Sequence, residues 1–235
     1  MKRVYCTSIL KQGSTYELEK KYYIHLVKVM RLKVGDHVSL FNNTSGEWKS
    51  EIVDIKNNFL IAKTISQVSP PQAETSIDLM FSPIKYQNSE SVIRQSTEMG
   101  IRSIFPTIFK RTINTKINLS KFNTYSIGAA QQSERLSIPN IHDLNDLKNQ
   151  SKIISSKTVL MFDENLKGIH LSQAKIKSNS EILVVIGPEG GFEDEERAFI
   201  CKSSKNFLNV SLGSNILKAD TAVIAALSLT FHYFS

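Results

Sequence analysis

Residues 181–192 read Glu-Ile-Leu-Val-Val-Ile-Gly-Pro-Glu-Gly-Gly-Phe, and no other stretch of the 235-residue chain restricts its folding so tightly. The apolar run Ile182 to Ile186 reads as a strand that ends abruptly at Gly187-Pro188. Three glycines and a proline after it mean a tightly turned backbone that can approach a neighbour or a ligand closely. The acids Glu193, Asp194, Glu195 and Glu196 come next, where carboxylates offset the positive end of a helix dipole, so we read them as structural rather than catalytic. By itself the segment is equally a plain strand-to-helix turn.

The surrounding pattern gives the turn a context. From Ser76 onward strands alternate with helical segments, the signature of a largely parallel α/β sheet. Residues 77–83 and 101–109 predict strands on either side of a helix over 89–99, with Ser89 as its N-cap and Gly100 as its stop. A second helix is predicted over 122–133, strands over 157–162, 181–187 and 206–213, and a last helix over 219–232. The first seventy residues differ. Segments 3–7, 37–42, 47–55 and 59–68 are rich in β-branched and aromatic residues. Turn formers at Gly35-Asp36, Asn42-Asn43 to Gly46 and Asn57-Asn58 separate them, and a helical stretch covers 22–30. This predicts a small β-barrel over 1–70 and an α/β domain over 71–235. Pro70-Pro71 is the expected linker, because proline donates no ladder hydrogen bond and stiffens the chain.

A second glycine turn follows at Ser211-Leu212-Gly213-Ser214-Asn215-Ile216-Leu217-Lys218-Ala219-Asp220-Thr221-Ala222. Two such turns at the C-terminal ends of neighbouring strands are where an open α/β sheet places its ligand. No Lys-Ser or Lys-Thr follows the first turn, so it is not a Walker A loop, and it is not GxGxxG either. A glutamate within the loop and acids behind it fit a phosphate poorly and suit a cationic, adenosine-like ligand. Main-chain groups with Ile186, Leu212, Ile216 and Leu217 would sandwich an adenine. Asp220-Thr221 reads equally as an ordinary helix start.

Lys and Arg outnumber Asp and Glu by 29 to 22, a net charge of +7, which favours a polyanionic partner or a solvated basic face. The positive charge is spread through folded segments such as 19–33 and 109–116, not held in a tail. Only Cys6 and Cys201 occur, without metal-ligand spacing, so neither a disulfide framework nor a metal site is expected. The N-terminus lacks the apolar core of a signal peptide, and no apolar run approaches the ~18 residues that would span a membrane. A cytoplasmic protein is expected.

Five segments in order carry a family resemblance. They are Ile186-Gly187-Pro188-Glu189-Gly190-Gly191-Phe192; the LGxxIL pattern at 212–217 with Thr221-Ala222; HLVKVMRLKVGDHVSLFN from His25; STEMGIRSIFPTIFKRT from Ser96; and AAQQSERLSIPNI from Ala129. Through them the chain is identified as a member of the RsmE family of SPOUT methyltransferases, which methylate N3 of a uridine in the decoding region of small-subunit ribosomal RNA. The resemblance implies a PUA-like β-barrel followed by a SPOUT-type α/β domain threaded through a deep trefoil knot. It implies S-adenosyl-L-methionine held by Gly187, Pro188, Glu189, Gly190, Gly191, Leu212, Gly213, Ile216 and Leu217, with Phe162, Asp163 and Glu164 as weaker matches. It also implies a homodimer acting on 16S rRNA in the small subunit, with Arg31, Arg111, Arg135 and Lys218 on the RNA side. Arg135 and Asp220 are the candidate catalytic residues.

Some positions depart from the family pattern. Gln95 stands for a lysine, Gln131 for a glutamate, Asn215 and Lys218 for arginines, and Asp220 for a glutamate. Lys218 and Asp220 keep their charge, whereas Gln95 and Asn215 do not. Two alternatives stay open: the same fold acting on another RNA acceptor, and a catalytically lapsed RNA-binding or assembly factor.

Overall fold

The computed structural model describes residues 1–84, 86–163 and 168–234. The chain divides into two compact units, Met1–Ala73 with Ala130–Ile138, and Glu74–Ala129 with Pro139–Ser235.

In the first unit, β1 (Lys2–Tyr5), β2 (Thr15–Leu18), β3 (His37–Asn42), β4 (Gly46–Lys56) and β5 (Phe59–Ser69) form one sheet in the order β1-β3-β4-β5-β2. β1 pairs with β3 in parallel and the other pairs are antiparallel. Lys56 pairs with Phe59 across a two-residue turn, and Asn58 sits there at φ 74, a left-handed conformation that asparagine tolerates. The expected helix is a single α-turn, α1 (Lys20–Tyr23), running into a π-helical segment, Ile24–Val29. Leu26 ties that segment to a core of Val4, Val38, Leu40, Ile52 and Leu60.

Segment 130–138 lies within the stretch assigned from sequence to the second domain, yet it packs with the first unit. Arg3 accounts for much of this. Its guanidinium forks onto Glu47 through Nε and Nη2, both at 3.1 Å, and donates to the carbonyls of Ala130 (2.7 Å) and Arg135 (3.1 Å). It also lies 4.0 Å from the centre of the Phe41 ring. Gln131 donates in return to the Arg3 carbonyl at 2.8 Å. Phe41, Ala130 and Leu136 form a small apolar cluster beside this clamp.

The second unit runs β6 (Ile77–Phe81), α2 (Tyr86–Met99), β7 (Ser103–Ile108), α3 (Leu119–Gln132), β8 (Asn140–Ile141), β9 (Asn145–Asp146), α4 (Ser151–Ser156), β10 (Thr158–Phe162), β11 (Ile182–Ile186), α5 (Asp194–Ser203), β12 (Asn206–Asn209) and α6 (Ala219–Phe234). The sheet is parallel, in the order β12-β10-β11-β6-β7-β8, and β9 also pairs with β7. β11 is thus inserted between β10 and the much earlier β6. Alternate residues feed two cores. Leu79, Phe81, Leu160, Phe162, Val184 and Ile186 face one, with Val223, Ala226 and Leu227 of α6. Met80, Val159, Met161, Leu183 and Val185 face the other, with Ile200 of α5.

Two helix starts differ from the sequence expectation. Ser89 is not an N-cap: α2 begins three residues earlier, and the Ser89 hydroxyl donates to the Ile84 carbonyl from inside the helix. α3 begins at Leu119 because Asn118 accepts the Lys121 N–H at 3.0 Å in the capping position.

At the N-terminal ends of the strands, Asp78 is buried between two cations. Arg102 reaches it at 2.7 Å and Lys157 at 2.6 Å, and both also contact Glu181. Hydrogen bonding from Arg102 first, then from Lys157, holds the Glu181 carboxyl down at about 2, against an ordinary 4.5. A depressed carboxylate pKa contributes stability that is complete above the unfolded value and lost as pH falls through the folded one. The difference in melting temperature between the native chain and Glu181→Gln is therefore expected to shrink as pH falls from about 4.5 to about 2, as thermal unfolding across that range will measure.

Candidate functional site

The ends of three strands make a level rim. Phe162, Ile186 and Phe81 are the last residues of β10, β11 and β6, and they lie side by side in register. β10 has β11 on one side and β12 on the other, so the strand order reverses beside it. A parallel sheet opens a crevice at such a reversal, outside the carboxyl ends of its strands. A cavity of about 370 Å³ lies there, within the ~300–1,000 Å³ of small-molecule sites.

Three chain segments line it: Phe162-Asp163 after β10, the turn after β11, and the long turn between β12 and α6. Gly187, Pro188, Glu189, Gly191, Leu212, Gly213, Ile216, Leu217 and Lys218 all contribute, so most of the residues singled out from sequence meet at one place. The lining combines apolar Phe162, Ile186, Leu212 and Leu217 with main-chain edges and two carboxylates, Asp163 and Glu189. That set suits a flat, partly apolar ligand with positive charge better than a phosphate.

The turn after β11 is held from behind. Gly191 donates its N–H to the Pro188 carbonyl at 2.8 Å, closing a four-residue turn with Glu189 at its corner. Gly191 has φ 72, a left-handed value for which glycine is the natural choice. A Cβ on Gly187 would lie 2.7 Å from the Phe192 ring, which is packed in the core against Phe109. Gly190 does not line the cavity. Its α-carbon faces the Arg111 side chain, where an added Cβ would meet Arg111 at 3.2 Å, and its carbonyl accepts from Arg111 Nη1 at 2.6 Å. Gly190 thus serves the close approach of Arg111.

Arg111, one of the cations expected on the RNA side, also pairs with Glu193 at 2.7 Å and is about half exposed. Glu196 accepts the N–H groups of Lys110 (2.7 Å) and Glu193 (2.9 Å). The acidic start of α5 therefore fastens the glycine turn to the segment after β7.

Arg197 of α5 pairs with Asp163 and reaches Asp194 at 2.7 Å. The Asp163 side chain is 1% exposed, and its hydrogen bond is the main influence that raises the Arg197 pKa. Sequence reasoning placed Asp163 among weaker matches and missed Arg197, whose signal was its place on the first turns of α5. Glu164 lies outside the described residues.

Asp220 does not line the cavity; it sits in the first turn of α6, with its carboxylate accepting the Thr221 N–H at 2.9 Å. Lys218 is exposed at the rim and Ile216 is 80% exposed. Arg31 and Arg135 belong to the first unit. Arg31 is exposed with φ 60 just after the π-helical segment, and Arg135 donates to the Ser137 hydroxyl at 3.0 Å. No group of three or more His, Cys, Asp or Glu side chains suited to a metal occurs among the described residues. No helix among them is long and apolar enough to cross a membrane.

The pattern of the RNA methyltransferase domain matches residues 71–230, and that of the RNA methyltransferase PUA domain matches residues 23–65. Ribosomal RNA small subunit methyltransferase E of Rickettsia conorii is 35% identical over 96% of this chain and 93% of its own. Ribosomal RNA small subunit methyltransferase E 2 of Borreliella burgdorferi is 29% identical over 89% of this chain and 88% of its own. Among solved structures, a methyltransferase from Legionella pneumophila in complex with the bound cofactor SAM superposes with a TM-score of 0.87 at 26% identity. It covers 98% of this chain and 97% of its own.

The buried Asp163–Arg197 pair gives a direct test of how the cavity wall is held. Removing one member of a buried pair leaves an uncompensated charge, at a cost of ~3–5 kcal/mol. Arg197→Ala is expected to destabilise the fold by about that much, and adding Asp163→Asn to recover part of the loss, as a double-mutant cycle by denaturant unfolding will measure.

Proposed function

The chain belongs to the RNA methyltransferase family, and we propose that it uses S-adenosyl-L-methionine to methylate N3 of a specific uridine in the decoding region of 16S rRNA within the small ribosomal subunit. The observation that carries this is the cavity where two glycine turns meet beyond β10, β11 and β12, in a chain 35% identical to a small-subunit methyltransferase over nearly its whole length.

The lining fits that cofactor. Ile186, Leu212 and Leu217 would enclose the adenine, main-chain groups of the two turns would bind its polar edge, and the exposed Glu189 carboxylate would offset positive charge. Gly187, Pro188, Gly191, Gly213, Ile216 and Phe162 complete the site, while Gly190 acts behind it through Arg111. When bound, S-adenosyl-L-methionine supplies a methyl group on a sulfonium centre. The chain's task is then chiefly to position the acceptor in line with it, since orientation alone supplies a large part of such a barrier. The uridine must leave its stack to reach the site.

Arg31 and Arg135 on the PUA-like unit, and Arg111 and Lys218 on the catalytic one, are the proposed RNA contacts. Phosphate contacts position a nucleic acid and give affinity its salt dependence. The insertion of β11 between β10 and β6 supports a SPOUT-type trefoil knot. α6 leaves Leu229 42% exposed and Ile224, Phe231 and Phe234 half-buried, which supports a homodimer. A ribosome-modifying enzyme of this kind works in the cytoplasm, and the domain reading is a PUA-like RNA-binding unit over 1–70, joined by segment 130–138, with the methyltransferase domain in the rest of 71–235.

The test is incubation with labelled S-adenosyl-L-methionine and unmodified small subunits, followed by digestion and identification of the labelled nucleoside. N3-methyluridine is expected, with activity falling steeply as salt rises. Label in a ribose-methylated nucleoside would point to another acceptor, and cofactor binding without label to an RNA-binding factor that has lost catalysis.

A further inference from the structure

A uridine N3 carries a proton that must leave when the methyl group arrives, and the cavity holds few groups able to take it. Among the described residues only two carboxylates line it, Asp163 and Glu189. Asp163 is buried and bound to Arg197, so its charge is matched and its side chain is closed to a substrate. The nearby acids are engaged elsewhere: Glu193 with Arg111, Glu196 with two backbone N–H groups, and Asp220 with the Thr221 N–H outside the lining.

Glu189 differs from all of these. It stands at the corner of the turn closed by Gly191 and Pro188, exposed to solvent, and makes no hydrogen bond or ion pair among the described residues. The turn is braced by Arg111, whose guanidinium is directed to the Gly190 carbonyl and Glu193. Lys218, on the second turn, is the cation of the lining. A free carboxylate is thus held on a fixed backbone at the cavity mouth, where a base entering from solvent would meet it.

We propose that Glu189 is the proton acceptor of the reaction; this rests on the uridine-N3 reading above. As the N3–H bond breaks, the proton passes to a Glu189 carboxylate oxygen and the bonding pair stays on nitrogen. That nitrogen forms the new bond to the methyl carbon while the carbon–sulfur bond breaks, its pair returning to sulfur. The sulfonium ends as a neutral thioether and the carboxylate as a neutral acid, which returns its proton to solvent from its exposed position. One positive and one negative charge disappear together, a favourable pairing where docked RNA has excluded water.

The experiment compares the full-length native protein with Glu189→Gln, an isosteric change at an exposed site. Calorimetry with S-adenosyl-L-methionine alone is expected to show a modest loss of affinity, which saturating cofactor removes from the comparison of rates. Single-turnover methylation of unmodified small subunits at saturating cofactor is expected to fall by at least ~100-fold. The residual rate should climb with hydroxide concentration, because N3 must then ionise unaided, and Glu189→Asp should recover part of the rate. An undiminished rate in Glu189→Gln overturns the assignment. So does a loss that disappears at saturating cofactor, which would make Glu189 a cofactor ligand only. If the native protein labels a nucleoside other than N3-methyluridine, the acceptor reading falls and the proposal with it; native N3-methyluridine beside a fully active variant overturns Glu189 alone.

Discussion

In-register parallel pairing of β11 with β10 on one side and β6 on the other underlies everything at the cavity. Each of these strands is buried along its whole length, and alternate residues serve two different cores. A slip of one residue would exchange the two rows and misfit both cores at once. The level at which Phe162, Ile186 and Phe81 end is therefore fixed by packing over the whole sheet, not by the loops beyond it. Short turns leaving such a rim inherit its rigidity, and a site built on them gains the positional accuracy that in-line group transfer demands.

The turns are then tied down by charge. α5 begins directly behind the glycine turn, and its first residues reach three ways: Glu193 to Arg111, Glu196 to the Lys110 and Glu193 backbone, and Asp194 to Arg197, which holds Asp163. The acids that offset the helix dipole are the same acids that fasten the loop. Two arginines near the cavity, Arg111 and Arg197, consequently hold protein to protein, and only the exposed half of Arg111 is left for the RNA contact proposed for it.

The sequence made the central strands and the site readily visible, because both rest on local signals: continuous apolar runs and glycine turns after them. What it concealed depended on partners far away along the chain. Segment 130–138 reads locally as a helix end and loop, and it counts with the first unit through Arg3, more than a hundred residues earlier. Ser89 looked like a cap because serine is a common one, yet Asn118 was the residue that capped a helix. β2, β8 and β9 are of two to four residues, too short for a periodic pattern to declare them. The glycine cluster was legible as a unit, but not which of its members faced inward; Gly190 turns to Arg111 because that contact is set by tertiary packing.

The same distinction bears on Asn215, which stands where the family pattern has an arginine. Asn215 lines the cavity on an exposed stretch of the second turn, beside Lys218. With a neutral side chain at 215 and Arg111 and Arg197 drawn onto carboxylates, Lys218 is the cation the second turn contributes to the cavity lining. One point charge on a flexible stem attracts phosphate without fixing its orientation, unlike the planar fork of an arginine. Among the proposed RNA contacts, the PUA-like unit carries two arginines, Arg31 and Arg135. Its segment 130–138 is clamped by Arg3 through two backbone carbonyls, so the backbone that carries Arg135 is fixed whatever the Arg135 side chain touches. Arg3, far from the cavity, thus fixes the stretch of main chain on which Arg135, one of the proposed RNA contacts, stands.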